Sequence, residues 1–380
     1  MSGLHCPVAR RCGGCQFTDL SYAEQLQRKQ RRMEDLLSRF GPVQLIRGMA
    51  EPFHYRNKVH ASLSVDKRGL PVSGVYAEGS HRVVPVSDCR IQDSRANQVI
   101  RDIVGMMPAF RMPVYNEYNR RGFLRHILIR TGAFTGEMLV VLVVSSLQMP
   151  GKHAFVQALL EKHPEITSLV LNQNNRHTSM VLGQRETVLS GPGYLEDRLC
   201  GKRFRISPQS FYQVNARQAE VLYRLAVEAA GLTGKETLLD AYCGTGTIGL
   251  CAADGAARLI GVELNPAAVK DAKENARLNG VSNASFHCED AGRFMQRMSA
   301  KGERPDVVIM DPPRSGSTEA FLSALCQTAP ERVVYVSCGP DTLARDLAYL
   351  TDHGYRMTSA TPVDMFPWTD HVETVCCLYH

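Results

Sequence analysis

Between residues 21 and 40, "SYAEQLQRKQRRMEDLLSRF", the apolar side chains Tyr22, Leu26, Met33, Leu36, Leu37 and Phe40 return at spacings near three and four. That is the period of a helix with one apolar face. Ser21 and Glu24 match a capping box at its start. A loop rich in Cys, Gly and Arg precedes it. From about 55 to 200 the pattern changes to short alternating or wholly apolar runs, "KVHASLSV", "SGVYA", "HILIRTG", "EMLVVLVVS" and "SLVLNQN", broken by Gly, Asn and Asp. These predict a mostly β region with a helix or two, one of them through "KHAFVQALLEKH". After "GKRFRISPQSFYQVN", a helix through "ARQAEVLYRLAVEAAG" opens a regular alternation of strand and helix. This alternation predicts an α/β fold with a doubly wound parallel sheet.

Composition narrows the class. A chain of 380 residues exceeds one typical domain, and 44% hydrophobic with 22% charged residues describes a globular protein with its own cores. The longest apolar run, within "EMLVVLVVSSLQM", is too short to span a bilayer, and "MSGLHCPVARR" lacks the apolar core of a signal peptide. The expectation is a cytoplasmic protein with no membrane partner. Its 12 cysteines then point to metals, clusters, chemistry or packing rather than disulfides. The net charge of +6 is unevenly spread: residues 1–58 hold ten Lys or Arg against five Asp or Glu. A second basic run, "NEYNRRGFLRHILIR", is interleaved with aromatics. Both are compatible with phosphate contacts and base stacking, with a solvated charged face as the alternative.

The candidate chemistry begins in "ETLLDAYCGTGTIGLCAA", a strand, a Gly-rich turn and a helix start, followed by a second strand that ends in Glu263. The glycines let backbone approach a ligand closely, and a carboxylate at that strand end is placed to accept hydrogen bonds from two ribose hydroxyls. Asp290, in "FHCEDA", ends a third strand, and the fourth, "DVVIMDPPRSG", ends in Asp311-Pro312-Pro313-Arg314. Together these resemble the motifs of a class I S-adenosylmethionine methyltransferase, with a nucleotide-binding fold of another kind as the alternative. The double Pro makes a stiff rim for a substrate base, because proline fixes φ and lacks an N–H. It leaves amine and carbon methylation equally open.

Cys338 separates the two. It ends the strand "RVVYVSC" just before a helix start at Gly339-Pro340, where it is expected to be partly exposed with its thiolate favoured by the helix dipole. Carbon C5 of uracil becomes nucleophilic only after something adds to C6, whereas amine methylation needs no thiolate. Once the methyl group is on C5, a base must remove the C5 proton so that the thiol can leave. "FPWTDHVETVCCLY" offers Glu373, with Asp370 and His371 as neighbours. A buried Glu with a raised pKa suits the task, although in isolation it reads as a structural carboxylate.

With "SFYQVN", "LLDAYCGTGTIGL", "GVELNPAAV", "DPPRSG", "YVSCGPDTLARDL" and "DMFPWTDHVETV", the catalytic half resembles the RNA 5-methyluridine methyltransferase family, which modifies uridines in ribosomal and transfer RNA. The resemblance implies that Cys338 is the nucleophile and Glu373 the base. It also implies that Gln213, Tyr242, Glu263, Asp290 and Asp311 contact S-adenosyl-L-methionine, with the uracil as an alternative partner for Gln213. A flipped uridine in a single-stranded loop is the expected target, because a stacked, paired base cannot offer C6 to a thiolate.

Cys6, Cys12 and Cys15 form a C-x5-C-x2-C spacing, with Cys89 in "VPVSDCRIQ" as a distant fourth. Four soft thiolates suit tetrahedral zinc or a 4Fe-4S cluster, and spacing alone does not decide. The family's ribosomal-RNA branch carries a 4Fe-4S cluster on these positions, so the resemblance implies iron. Cys200, Cys243, Cys251, Cys288, Cys326, Cys376 and Cys377 are expected to be packing residues. Many family members begin with a small β-barrel RNA-binding domain, whereas this chain reaches Cys6 almost at once, as the short ribosomal-RNA branch does; the transfer-RNA branch lacks the cluster.

The expectation is therefore uridine-C5 methylation of 23S ribosomal RNA. Transfer-RNA uridine-C5 and RNA cytosine-C5 methylation are the alternatives, and a non-catalytic RNA-binding assembly factor is the reading from another class. The expected division is an N-terminal α+β domain over 1–205 and a methyltransferase domain over 206–380. The first carries the four-cysteine site and an RNA surface of "FHYRNK", "GSHRVV" and "RRGFLRHILIR"; by resemblance, about 25–57 packs on the second. DNA is not an expected partner, and the oligomeric state is left open.

Overall fold

The computed structural model describes residues 3–176 and 180–380. Strands β1 (Lys58–Val65), β2 (Pro71–Tyr76), β3 (Val83–Pro85), β4 (Leu124–Thr131), β5 (Met138–Val144), β6 (Ile166–Gln173) and β7 (Arg185–Ser190) form a mainly antiparallel sheet in the order β3-β2-β1-β4-β5-β6-β7. A hairpin of β8 (Leu195–Leu199) and β9 (Lys202–Ile206) follows. Strands β10 (Thr237–Ala241), β11 (Arg258–Glu263), β12 (Ala284–Cys288), β13 (Val307–Met310), β14 (Arg332–Ser337), β15 (Arg356–Val363) and β16 (Glu373–Tyr379) form the second sheet, ordered β12-β11-β10-β13-β14-β16-β15. Within it β10 to β14 run parallel and β16 is antiparallel to both neighbours.

The apolar runs of the second sheet are split by the pleat between two cores. Leu238, Leu259, Ile309, Val334 and Val336 face the helices Ala216–Ala230, Thr247–Ala252 and Pro266–Leu278. Leu239, Ile260, Val308, Val333 and Tyr335 face the helices Ala291–Ala300, Glu319–Thr328 and Pro340–Asp352. The strand order reverses between β10 and β13, which opens a crevice at the carboxyl ends of the strands. The first sheet packs Ile127, Ile129, Val140 and Leu142 against the helices Ser94–Met106 and Lys152–Lys162. Its opposite face gives Leu128, Leu139, Val141 and Val170 to the core under β10 and β14, so the two sheets share apolar packing.

The capping box at Ser21 and Glu24 is present in both directions. The helix it starts, Tyr22–Leu37, differs from the predicted apolar stripe. It buries Gln25 and Lys29 together with Met33 and Leu37, while Tyr22, Leu26 and Leu36 are half-buried and Phe40 lies beyond its end. The reason is the surface it covers: Met33 and Leu37 meet the core beneath β15, whereas Gln25 and Lys29 meet backbone polar groups and a carboxylate around residues 364–368. The chain then runs beside β15, with Gln44 N–H donating to Ala360 (2.8 Å) and Arg47 N–H to Pro362 (2.8 Å). This covers what would otherwise be an open sheet edge.

Candidate active site

The turn after β10 places Tyr242 at φ 63°, Gly244 at 55° and Gly246 at 78°. A side chain built on Gly244 would meet no heavy atom within 4 Å, so the turn faces open space. Glu263, at the end of β11, accepts the N–H of Gly244 (3.1 Å) on one oxygen and that of Asn265 (2.8 Å) on the other. The Tyr242 hydroxyl bonds Ser317 Oγ (3.0 Å) and its ring packs on Phe321 (5.3 Å between centroids). Asp290 lies two residues beyond β12 rather than at its end, where it caps the next helix through the Arg293 N–H (3.0 Å). Capping leaves its second oxygen to other partners, and the charge of Asp290 is felt at Tyr242.

Asp311 follows β13 and its N–H reaches back to the Ala241 carbonyl (3.4 Å). Part of its surface reaches solvent, yet desolvation by the crowded site pushes its carboxyl up to about 7. Asp240, buried beneath the turn, is likewise pushed up to about 7 by desolvation and accepts the Gly249 N–H (2.8 Å). Gln213 sits in the strap between the hairpin and the next helix; its carbonyl accepts from Asn57 Nδ2 (3.0 Å) and its side chain bonds the Tyr223 hydroxyl. Tyr223 in turn feels Asp311. Hydrogen bonds and electrostatic reach link these residues in turn: Asp290 to Tyr242, Glu263 and Asp311 to Asp240, and Gln213 and Asp311 to Tyr223.

Cys338 lies one residue past β14, half-buried, at the carboxyl end of the parallel strands. The expectation of a favoured thiolate is corrected here. Desolvation, then the charges of Glu373 and Asp311, push the thiol up to about 11, while Arg314 pulls the other way. Desolvation, the largest of these causes, outweighs the helix end, and the two acids add to it. Glu373, 5% exposed, is pushed up to about 8 by desolvation and Asp311, again opposed by Arg314. Cys338, Glu373, Asp311 and Arg314 therefore converge on one spot.

Several groups that hold this arrangement were not singled out in the sequence. Arg314 is one, although it stands in "DPPRSG". Its carbonyl accepts from Thr342 Oγ1 (3.1 Å), which locks the turn after β13 against the turn after β14. Asp346, fully buried, accepts from the Tyr335 hydroxyl (2.7 Å) and the Ser317 N–H (2.7 Å), and so fixes the partner of Tyr242. No local motif announces Asp346; only the unusual Asp on the buried face of an amphipathic helix signals it.

The second basic run is corrected in part. Arg125 is buried and paired with Glu117 (2.7 Å), and Arg130 is buried against the carbonyls of Pro208 and Ser210. Neither is available to a phosphate, because β4 is buried along its whole length. Arg120 and Arg121, at the exposed tip before β4, and His81 with Arg82 remain accessible.

Cys15 is pushed up to about 12 by desolvation and then by Cys89, Cys12 and Cys6, so the four thiols gather at one place. Cys89 is raised as well, by desolvation above all. Leu4, Tyr55, Ile91 and Trp368 wall this place. Among the described residues, no group of three or more His, Cys, Asp or Glu stands ready-made at metal-binding separations. Four soft thiols are the donor chemistry that a soft metal takes, but their separations here are not those of a metal site. Of the other cysteines, Cys243, Cys376 and Cys377 are buried as expected, whereas Cys288 is exposed at the end of β12.

A parallel sheet that reverses at β10, with a carboxylate at the end of β11 and a glycine turn facing open space, defines an S-adenosylmethionine-dependent methyltransferase. The family model for tRNA (Uracil-5-)-methyltransferase matches residues 21–380, and the chain belongs to that family: it is an RNA (uracil-5-)-methyltransferase. It is 43% identical over 378 residues to an uncharacterised RNA methyltransferase of Halalkalibacterium halodurans, covering 98% of this chain and 82% of that protein. Another from Bacillus cereus is 40% identical over 375 residues, covering 97% and 81%. Among solved structures, the tRNA (uracil-54, C5)-methyltransferase of Pyrococcus abyssi in complex with S-adenosyl-L-homocysteine aligns with a TM-score of 0.80 and 28% identity, covering 96% of this chain and 85% of that one.

Proposed function

We propose that this methyltransferase modifies uridine C5 through a covalent adduct on Cys338, and that its substrate is 23S ribosomal RNA. The convergence of Cys338, Glu373, Asp311 and Arg314 carries the reading. The Cys338 sulfur adds to C6, and the electron pair released onto C5 attacks the methyl group. Glu373 takes the C5 proton, and the C6–S bond then breaks to return the thiolate. The bound donor would supply the methyl group from its sulfonium, the bond from methyl to sulfur breaking to leave neutral S-adenosyl-L-homocysteine. A thiol near 11 ionises with difficulty, and the charge of Arg314 is a feature of this chain that favours the thiolate. A carboxyl near 8 is a stronger base than an ordinary Glu, which suits a carbon-bound proton. Gln213, Tyr242, Glu263, Asp290 and Asp311 bind the donor in this reading, with Gln213 also facing the base.

Cys6, Cys12, Cys15 and Cys89 would hold a 4Fe-4S cluster, which when bound would pin the N-terminal loop through four bonds to sulfur. The four gathered thiols support it, and the family's ribosomal-RNA branch shares it. The reading keeps the N-terminal residues up to 205 as the cluster and RNA-binding domain. A second reading, transfer RNA as substrate, is favoured by the Pyrococcus abyssi neighbour, whose substrate is a tRNA uridine.

Transcribed ribosomal RNA containing 5-fluorouridine tests the mechanism, because fluorine does not leave as a proton. A denaturation-resistant adduct on Cys338, absent in Cys338→Ser, is expected, and mapping the trapped RNA identifies the uridine. Trapping of transfer RNA in place of ribosomal RNA would overturn the substrate, and no trapping by an enzyme that binds donor would overturn the mechanism.

A further inference from the structure

Glu373 opens β16, and its strand partner is Val363, the last residue of β15. Between them the chain makes a single excursion, residues 364–372. The carboxylate therefore stands at the point where the excursion rejoins the sheet.

Its backbone is gripped at each step. The carbonyls of Asp364 and Met365 accept from Gln218 Nε2 (3.1 Å) and Asn215 Nδ2 (2.9 Å). Those of Phe366 and Pro367 accept from Lys29 Nζ (3.1 Å) and the Tyr55 hydroxyl (2.9 Å). The Trp368 carbonyl accepts the N–H groups of Gln16 (3.0 Å) and Phe17 (3.1 Å), just beyond Cys15. The Trp368 N–H donates to Gln25 Oε1 (2.9 Å) and its indole N–H to the Pro52 carbonyl (2.6 Å).

Two features exceed what backbone satisfaction requires. Lys29 and Asp364 pair at 2.6 Å, the lysine 2% exposed and the aspartate 0%. The second Asp364 oxygen accepts from the Tyr22 hydroxyl (2.8 Å), which itself accepts the Met49 N–H (2.7 Å). A buried ion pair gains little over apolar residues of equal volume, and its best-attested use is to select one register. Methyl groups would let the helix slide on the loop, whereas a carboxylate with two directed donors does not. In addition, Trp368 is held at φ 72°, left-handed for a bulky residue, with its ring in the pocket of the cysteine site. Such a backbone persists only where the surroundings over-determine it.

We propose that Lys29, through Asp364 and the Phe366 carbonyl, is a positioning residue for Glu373, fixing the excursion so that the carboxylate meets the C5 proton of the methylated adduct. The inference rests on the roles proposed above for Cys338 and Glu373. The governed step is the last one. Glu373 takes the C5 proton, the C–H electrons re-form the C5–C6 double bond, and the C6–S bond breaks. A displaced carboxylate slows this step and spares the earlier ones, so methylated RNA stays joined to Cys338.

The test uses the full chain, RNA with ordinary uridine and methyl-labelled donor, with labelled RNA scored as protein-bound or free after denaturation. Lys29→Met strands a buried Asp364 and is prone to unfold, so Lys29→Met/Asp364→Asn, which keeps an acceptor for Tyr22 without a charge, is measured beside it. Label transfer within about threefold of the unaltered enzyme, with the bound methylated fraction raised about tenfold towards that of Glu373→Gln, is expected. If a variant that binds donor normally loses transfer and release in proportion, or accumulates no bound RNA, Lys29 is structural and the proposal falls. Failure of the unaltered enzyme to be trapped by 5-fluorouridine RNA would instead overturn the mechanism itself.

Discussion

The two ends of the 364–372 excursion carry buried carboxylates treated in opposite ways. At its start, Asp364 receives Lys29 and Tyr22. At its far end, Glu373 receives no hydrogen bond or ion pair among the described residues, and burial beside Asp311 pushes it up to about 8. The same chemical group is tied down in one place and left wanting a proton nine positions later. A buried acid with satisfied oxygens holds structure; one that is desolvated and unpaired at a crevice is poised for proton transfer.

Replacing Cys338 gives the largest effect, because neither carboxylate matters without an adduct: Cys338→Ser should lower methylation on the order of 10⁴-fold or more and abolish trapping by 5-fluorouridine RNA. Glu373→Gln should slow turnover about 10²–10⁴-fold while covalent RNA accumulates on denaturing gels. At the other carboxylate the response should invert. Asp364→Ala strands the Lys29 charge and should cost about 3–5 kcal/mol by urea titration, whereas Glu373→Gln should leave stability at pH 8 equal or higher.

The pH dependence sharpens the contrast. A carboxyl raised in the fold stabilises it fully below the unfolded value, and that contribution is lost as pH rises towards the folded one. For Glu373, raised from 4.5 to about 8, the stabilisation should therefore fall between those values. The slope is about 1.4 kcal/mol per pH unit for one group. Glu373→Gln should remove that slope in melts run from pH 5 to 8, and activity should rise through the same window as the base ionises. Cys288→Ser, at an exposed position, should shift stability by no more than about 0.5 kcal/mol.

Much of the catalytic crevice was legible because its groups sit on short motifs at strand ends, where Glu263, Asp311 and Cys338 follow apolar runs a reader can count. The amphipathic helix was legible in place but not in meaning. Lys29 reads as one more cation in a basic stretch, and its partner lies 335 positions away. Arg125 and Arg130 misled for the same reason: charge along the chain does not tell whether a carbonyl or a carboxylate waits across the fold. The Cys338 thiol was misjudged because its desolvation, the largest cause, and the acids that add to it, just after β13 and at the start of β16, come from across the fold and not from its own turn.

The bonds from Gln16 and Phe17 to Trp368 join one end of the chain almost to the other. During synthesis the first segment leaves the ribosome long before its partner exists, and the donor crevice, complete by Asp311, can form earlier than the seat of Glu373. The carboxylate proposed as the base is thus set only when β16 has been delivered and the early segment has closed over the excursion before it. A chain interrupted before that point would lack the base proposed to free the methylated RNA.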